Sequence, residues 1–511
     1  MTIRQDWLNF AGIAYGLSWV IIIGALFIVP RNRRPGSATA WLLLIVLVPF
    51  FGALLFLLIG SPKLSGRRRA QQRQANALII QRVAEAQADP SLERFFDPTV
   101  PDRYEPFVSL NTVLGGMPAC TGNRIGLIPG YEDAIRRMTQ AVDEAQTFVH
   151  GAFYILAMDQ TTEPFFHALE NAVRRGVTVR VLVDHIASRG FPRRRQMTRR
   201  MTDAGIEWRW SLPFRPLSNN WNRPDLRNHR KLLVVDGRTA FTGSLNMIDS
   251  SYHRWRNLRR GLRYVELVTQ ATGPVVLEVN AVFLTDWYSE GGAPLTVNLP
   301  PVSALLPRWT GSALSQVLPS GPGYDDDNNL KLFTSLIHAA RRTVFITTPY
   351  FVPDDSLMIA ITSAAQRGVE VVLLTAEVSN QFVVHHAQHS YYEELLRAGV
   401  RIHLLRPPAL LHAKHIRIDD DIAVIGSSNL DMRSFTLNLE ITLVAYDTAV
   451  AGGLREVEQM FLSRSRALTI EEWQQEPKTA RLIDNLPLVI GSAPGPRDPR
   501  PAGSHLTHRE S

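Results

Sequence analysis

The stretch "NHRKLLVVDG" runs from Asn228 to Gly237, and "LHAKHIRIDD" runs from Leu411 to Asp420. Both contain His-x-Lys-x4-Asp: His229, Lys231 and Asp236 in the first, His412, Lys414 and Asp419 in the second. One copy of so short a pattern carries little weight, because a histidine ahead of a strand ordinarily has a local packing role. Two copies in fixed register carry much more. All three pairs are 183 residues apart, and the same interval relates Gly243, Ser244 and Asn246 of "GSLN" to Gly426, Ser427 and Asn429 of "GSSN". A period this long is a duplicated domain, beyond the range of solenoid repeats. A motif that only capped a strand would have no reason to keep His, Lys and Asn together in both halves. Two half-sites building one site explains it.

The flanking segments repeat as well. "TFVHGAFYI" (Thr147 to Ile155) reads as a strand from its β-branched and aromatic content. "EPFFHALENAVRRG" (Glu163 to Gly176) has helical spacing with a terminal glycine, and "VTVRVLVDH" (Val177 to His185) is again a strand. The series recurs as "TVFITTPYF" (Thr343 to Phe351), "DSLMIAITSAAQRG" (Asp355 to Gly368) and "VEVVLLTA" (Val369 to Ala376). Such alternation predicts an α/β fold, a sheet layered with helices.

The residue types suit one kind of chemistry. A neutral imidazole is a nucleophile and an imidazolium is an acid, so two histidines can take opposite roles. Two lysines supply fixed positive charge, while Ser244, Asn246, Ser427 and Asn429 supply hydrogen-bond donors suited to phosphate oxygens. Glu266 in "RRGLRYVELV" and Glu440 in "GSSNLDMRSFTLNLEI" place a carboxylate in each half that can orient an imidazole. No carboxylate cluster suited to a divalent metal is evident, and the lysines can take over its electrostatic task. The pattern fits phosphodiester transfer with neither metal nor cofactor.

Composition bounds the setting. The chain has 511 residues, 45% hydrophobic and 20% charged, with a formal charge of +8. Residues 10–30 and 38–60 contain no charged residue, and each is long enough as a helix to cross the roughly 30 Å apolar core of a bilayer. They predict a two-helix transmembrane hairpin. Arg4, Lys63, Arg67, Arg68, Arg69 and Arg73 flank it on one side and Arg31, Arg33 and Arg34 on the other, so positive-inside counting favours a cytoplasmic soluble portion by a small margin. The single cysteine, Cys120, excludes an intrachain disulfide. The basic balance suits anionic lipid or nucleic acid, and the apolar stretches favour lipid. His385 and His389 have a metal-ligand spacing but no third ligand, and "LLRPPALL" (Leu404 to Leu411) could meet acyl chains or simply pack in the core.

The paired motifs, each followed by GSxN, resemble the phospholipase D superfamily. "RNHRK", "GPVVLEVNAVFLTDW" (Gly273 to Trp287), "LPSGP" (Leu318 to Pro322) and "SSNLDMRSF" (Ser427 to Phe435) are similar to its bacterial cardiolipin synthase branch. The resemblance implies duplicated phospholipase D-like domains with a mixed sheet, related by a pseudo-twofold, with one site between them. It implies a phosphohistidine on His229, acid/base work by His412, and phosphate held by Lys231, Lys414, Asn246 and Asn429. Asp236 and Asp419 belong to the catalytic motif, although such members are more often structural than chemical. Two phosphatidylglycerol molecules would yield cardiolipin and glycerol at a bacterial plasma membrane, with no nucleic acid involved. Ser244 departs from the glycine many branch members carry there.

The implied organisation is a hairpin over 1–62, a basic linker over 63–105, phospholipase D-like domains over 106–300 and 301–478, and a Pro-rich disordered tail over 479–511. The same chemistry would serve a phospholipid hydrolase that uses water or a nuclease, and the motifs do not distinguish water from a lipid alcohol. A non-enzymatic membrane scaffold would be expected to have lost a histidine or lysine. Oligomeric state is not legible.

Overall fold

The computed structural model describes residues 2–31, 33, 35–61, 63–191, 193–214, 223–292, 309–379 and 381–475. The expected disordered tail and the expected boundary at 300/301 lie outside them. The chain divides into two units, one of residues 1–65 with 214–226 and one of 66–213 with 227–511.

In the larger unit the repeat becomes a repeated topology. Strand Phe148–Phe153, helix Glu163–Arg174 and strand Thr178–Asp184 form a parallel βαβ unit. Thr343–Thr347, Asp355–Gln366 and Glu370–Ala376 form its counterpart. In each half the next strand inward runs antiparallel and follows the motif lysine: Leu232–Val235 in the first, His415–Ile418 in the second. The halves join where Cys120–Ile128 pairs with Ala313–Ser320, giving one mixed 16-stranded sheet.

Period-2 alternation sends successive side chains to opposite faces. Val149, Val181 and Leu233 meet Phe165 and Leu169 on one face. Ala152, Leu182, Leu232 and Val234 meet Val279 and Phe283 of helix Val275–Ser289 on the other. Leu404, Leu405, Leu410 and Leu411 are likewise buried, while Arg406, Pro407 and Pro408 between them are exposed. Segment 66–88 is a helix, and its Arg68 makes a bidentate ion pair with Glu290 at 2.7 and 2.6 Å.

In the smaller unit, the first apolar stretch forms helix Thr2–Ile28. The second differs from a single span: it divides into Pro35–Leu47 and Pro49–Ile59. Proline 49 disfavours helical geometry in the residue before it, and Val48 sits at φ −137°, ψ 77°. Apolar side chains such as Val20, Leu43, Phe51 and Leu57 face outward. Among the described residues, no helix is long and apolar enough to cross a membrane.

Candidate active site

The two motifs enter the site through short parallel strands that cross from one half to the other. Arg227–Asn228 pairs with Asn438–Leu439, and the His229 backbone N–H donates to Leu439 O at 2.9 Å. Ala409–Leu411 pairs with Arg263–Val265, and the His412 N–H donates to Val265 O at 2.8 Å. Each histidine therefore lies beside the residue that follows its paired segment, a glutamate of the opposite half. His229 Nδ1 donates to Glu440 Oε1 and Oε2 at 2.9 and 3.0 Å. His412 Nδ1 donates to both Glu266 oxygens at 2.8 Å. The sequence places one carboxylate in each half; the fold exchanges them. With Nδ1 bonded, Nε2 of each ring is left to react.

The lysines fold back on their own histidines. Lys231 Nζ donates to His229 O at 2.6 Å and Lys414 Nζ to His412 O at 2.5 Å. Lys231 also lies 4.9 Å from the Tyr154 ring, which meets His229 edge-on at 4.6 Å. The histidines are only 6% and 7% exposed, so the site is largely dry.

Burial and the surrounding charges tune these groups. Burial, reinforced by Lys231, Lys414, His412 and Arg433, holds His229 well below the usual imidazole range. Burial brings His412 down to about 4 even though Glu266 works to raise it. Lys414 is lowered by burial to about 8, with Glu266 and Glu440 opposing the drop. Burial pushes Glu440 up to about 7. Burial acts on Glu266 the same way, but His412 and Lys414 outweigh it and hold that carboxyl below its usual range.

The remaining candidates divide. Ser244 and Ser427 were expected at the phosphate, but both sit behind the carboxylates. Ser427 Oγ donates to Glu440 Oε2 at 2.5 Å and accepts from Ile441 N at 3.0 Å. Ser244 Oγ accepts from Leu267 N at 2.9 Å and donates to Leu267 O at 3.2 Å. Their short side chains bond to the adjacent strand, brought close because Gly243 and Gly426 precede them. A Cβ at either glycine would lie 2.3 Å from a carbonyl oxygen, of Leu267 or Ile441. Asn246 uses Nδ2 on the Tyr252 hydroxyl at 2.9 Å and Oδ1 on Ile155 N at 3.2 Å. Asn429 is buried, with an Oδ1 that has no hydrogen-bond partner among the described residues.

Asp236 and Asp419 stand apart from the histidines, in left-handed turns at φ 54° and 51° that aspartate tolerates. Asp236 accepts from Gln146 N, Thr147 N, Thr147 Oγ1 and Phe148 N at 2.7–3.0 Å. Asp419 does the same for Arg341, Arg342 and Thr343, and pairs with Arg103 at 2.8 Å. Both pin the start of a strand. Asp236→Ala is expected to cost roughly 1–3 kcal/mol of stability by stranding the buried Phe148 N–H and removing the bonds to Gln146 and Thr147. Chemical denaturation should show that loss while the folded fraction keeps its turnover rate.

Three contributors carried no recognisable sequence signal. Tyr252 OH donates to Glu266 Oε1 at 3.0 Å, and the Tyr264 ring lies 5.5 Å from His412. Arg230, buried between the motif residues, donates to Asp286 Oδ1 at 2.5 Å and Glu440 O at 2.9 Å. Its arginine and Asp286 lie in segments that the resemblance marks, "RNHRK" and "GPVVLEVNAVFLTDW", but no pattern joins them. The His385 and His389 rings lie 4.2 Å apart, tilted by 57°. Among the described residues, no group of three or more His, Cys, Asp or Glu is arranged to hold a metal ion.

Paired His–Lys half-sites on a duplicated mixed sheet define a phospholipase D-like protein. The family profile described as "Cardiolipin synthase, PLD-like domain" matches residues 138–285 and 333–462. A second, described as "Phospholipase D-nuclease N-terminal", matches 17–61. Cardiolipin synthase A of Proteus mirabilis is 32% identical over 483 residues, covering 94% of this chain and 97% of that protein. Cardiolipin synthase A of Pectobacterium carotovorum is 32% identical over 469 residues, 92% of this chain and 95% of that one. The chain belongs to the cardiolipin synthase family of the phospholipase D superfamily. A phosphatidylserine synthase from Haemophilus influenzae shares the fold, with a TM-score of 0.55 at 14% identity over 76% of this chain and 98% of that one.

Proposed function

We propose that this protein is a cardiolipin synthase that moves a phosphatidyl group between two phosphatidylglycerol molecules through a phosphohistidine. The observation that carries the reading is the pair of crossed His–Glu dyads beside two buried lysines. His229 Nε2 attacks the phosphorus of the first phosphatidylglycerol. The bond to the glycerol oxygen breaks, and that oxygen takes a proton from His412. Glycerol leaves, and a hydroxyl of a second phosphatidylglycerol gives its proton to His412 as its oxygen attacks the phosphohistidine. Cardiolipin forms and both histidines return to their starting states. Lys231 and Lys414 balance the phosphate charge: burial lowers both ammonium groups, and an arriving phosphate favours their protonated forms. Asn246 and Asn429 would add amide donors to the phosphate.

The electrostatics support this division of labour. Four cationic or titrating neighbours disfavour a proton on His229, while Glu266 favours one on His412. The pair's last proton therefore resides on the acid, leaving the nucleophile free. An anionic phosphate between the lysines would raise both imidazoles toward neutrality without changing their order.

The apolar N-terminal stretches would hold the enzyme in the bacterial plasma membrane, with the catalytic portion on the cytoplasmic side. The test is to incubate the purified protein, in detergent with chelator, with phosphatidylglycerol as the only phospholipid and to identify the products by mass spectrometry. Cardiolipin plus glycerol is the expected result. Phosphatidic acid plus glycerol would make water the acceptor and overturn the synthase reading.

A further inference from the structure

The two halves depart from each other in one conspicuous place beside the site. Glu266 follows Asn246 by 20 positions, but Glu440 follows Asn429 by only 11. The motif and GSxN positions before this point keep one interval throughout, so the extra length belongs to the first half alone. It builds an arm. Tyr252 and His253 are consecutive left-handed residues, at φ 56° and 50°, and turn the chain outward. Helix Trp255–Arg260 follows and ends at Gly261, also left-handed at φ 64°. The chain returns through Arg263–Val265, the strand paired with Ala409–Leu411.

The base of the arm is firmly held. His253 Nε2 meets Asp159 Oδ2 at 2.8 Å, and Asp249 N donates to the same oxygen at 2.7 Å. Buried Asn257 donates to Ser251 O at 2.9 Å, and Tyr264 N donates to Ser250 O at 2.8 Å. The outer surface has a different character. Trp255 is 49% exposed and Leu258 is 52% exposed, three residues apart on one face. Around them stand Arg254, Arg256, Arg259, Arg260 and Arg263, with no Asp or Glu between residues 250 and 265. The Arg259 guanidinium lies 5.9 Å from the Trp255 ring. The arm is also rooted in the chemistry, since Tyr252 bonds Glu266 and Tyr264 packs against His412.

We infer that this arm docks on the surface of a bilayer containing anionic phospholipid, and that it seats the His412 side of the site at the headgroup layer. The choice of partner rests on the lipid-transfer reading above. Tryptophan and leucine on one face, framed by arginine, match an interface that is apolar below and negatively charged above. An acidic protein would satisfy the charges, but the lipid substrate lies in a bilayer.

The test uses the full chain. Cys120 is the only cysteine and is fully buried, so a nitroxide can be placed selectively on Leu258→Cys. In nanodiscs of phosphatidylglycerol with phosphatidylcholine, the label is expected to gain access to dissolved oxygen and lose access to an aqueous nickel chelate. In phosphatidylcholine alone it should stay open to nickel. Equal access to nickel in both compositions overturns the proposal, as does equal burial in both. Shielding from nickel without oxygen access indicates contact with protein and also overturns it. A second arm of the experiment uses Trp255→Ser with Leu258→Ser, both at exposed positions. At least a tenfold loss of rate is expected on phosphatidylglycerol vesicles, with the rate on detergent-dispersed short-chain phosphatidylglycerol retained. Equal loss in both presentations would assign the arm to the active site and overturn docking. If the label enters anionic bilayers but the wild-type protein makes no cardiolipin from either presentation, the transfer reading fails while docking stands.

Discussion

His229→Ala is expected to lower turnover of phosphatidylglycerol by roughly 10⁴-fold or more, because it removes the group proposed to carry the covalent intermediate. His412→Ala should cause a comparable loss on the same substrate, since an alkoxide is a poor leaving group without a proton. The variants part company on a phosphatidyl nitrophenyl ester, whose leaving group departs unprotonated. Release of nitrophenol by His412→Ala should recover substantially in a burst, followed by slow transfer to the second alcohol. His229→Ala should release none. The burst measures the first step alone, so it assigns the roles that the symmetry of the two motifs leaves open. A burst from His229→Ala and none from His412→Ala would reverse the assignment.

The second large effect concerns the exchanged carboxylates. Glu266→Gln is expected to lower kcat by about 10²–10⁴-fold, by analogy with other imidazoles that lose an orienting carboxylate. Its pH signature separates it from a general defect. Burial lowers His412 to about 4 and the Glu266 charge opposes that drop. Removing the charge therefore lowers His412 further, and the required imidazolium is lost at a lower pH. The alkaline limb of kcat should move toward acid and narrow the profile. Glu440→Gln acts on His229, which must be neutral to attack. Burial pushes Glu440 up to about 7, so it carries little charge where His229 titrates, and kcat should fall with the acid limb left in place. A purely structural role for Glu266 would scale its profile without displacing the alkaline limb.

Much of the fold was legible because it depends on local periodicity and on duplication. Val149, Val181 and Leu233 alternate with residues for the opposite face, so the strands declare themselves. The fixed interval between motifs then pairs the half-sites. The exchange of Glu266 and Glu440 was not legible, because it depends on two short parallel pairings between segments over 140 residues apart. Nor was the position of Ser244 and Ser427, since a GSxN pattern does not say on which side of the strand its hydroxyl lies. Val48 and Pro49 do mark the break in the second apolar stretch, but uninterrupted hydropathy across the proline conceals it. Tyr252 and Arg230 act through tertiary contacts alone.

The exchange of carboxylates also has a consequence during biosynthesis. A ribosome delivers His229 long before Glu440, and Glu266 waits without its partner until His412 emerges. A nascent chain thus holds no finished dyad until the second motif is made, and only one until the strand carrying Glu440 has been added. Translation that stops short of that strand leaves a fragment whose His229 lacks its carboxylate. An interrupted chain carries at most half a site.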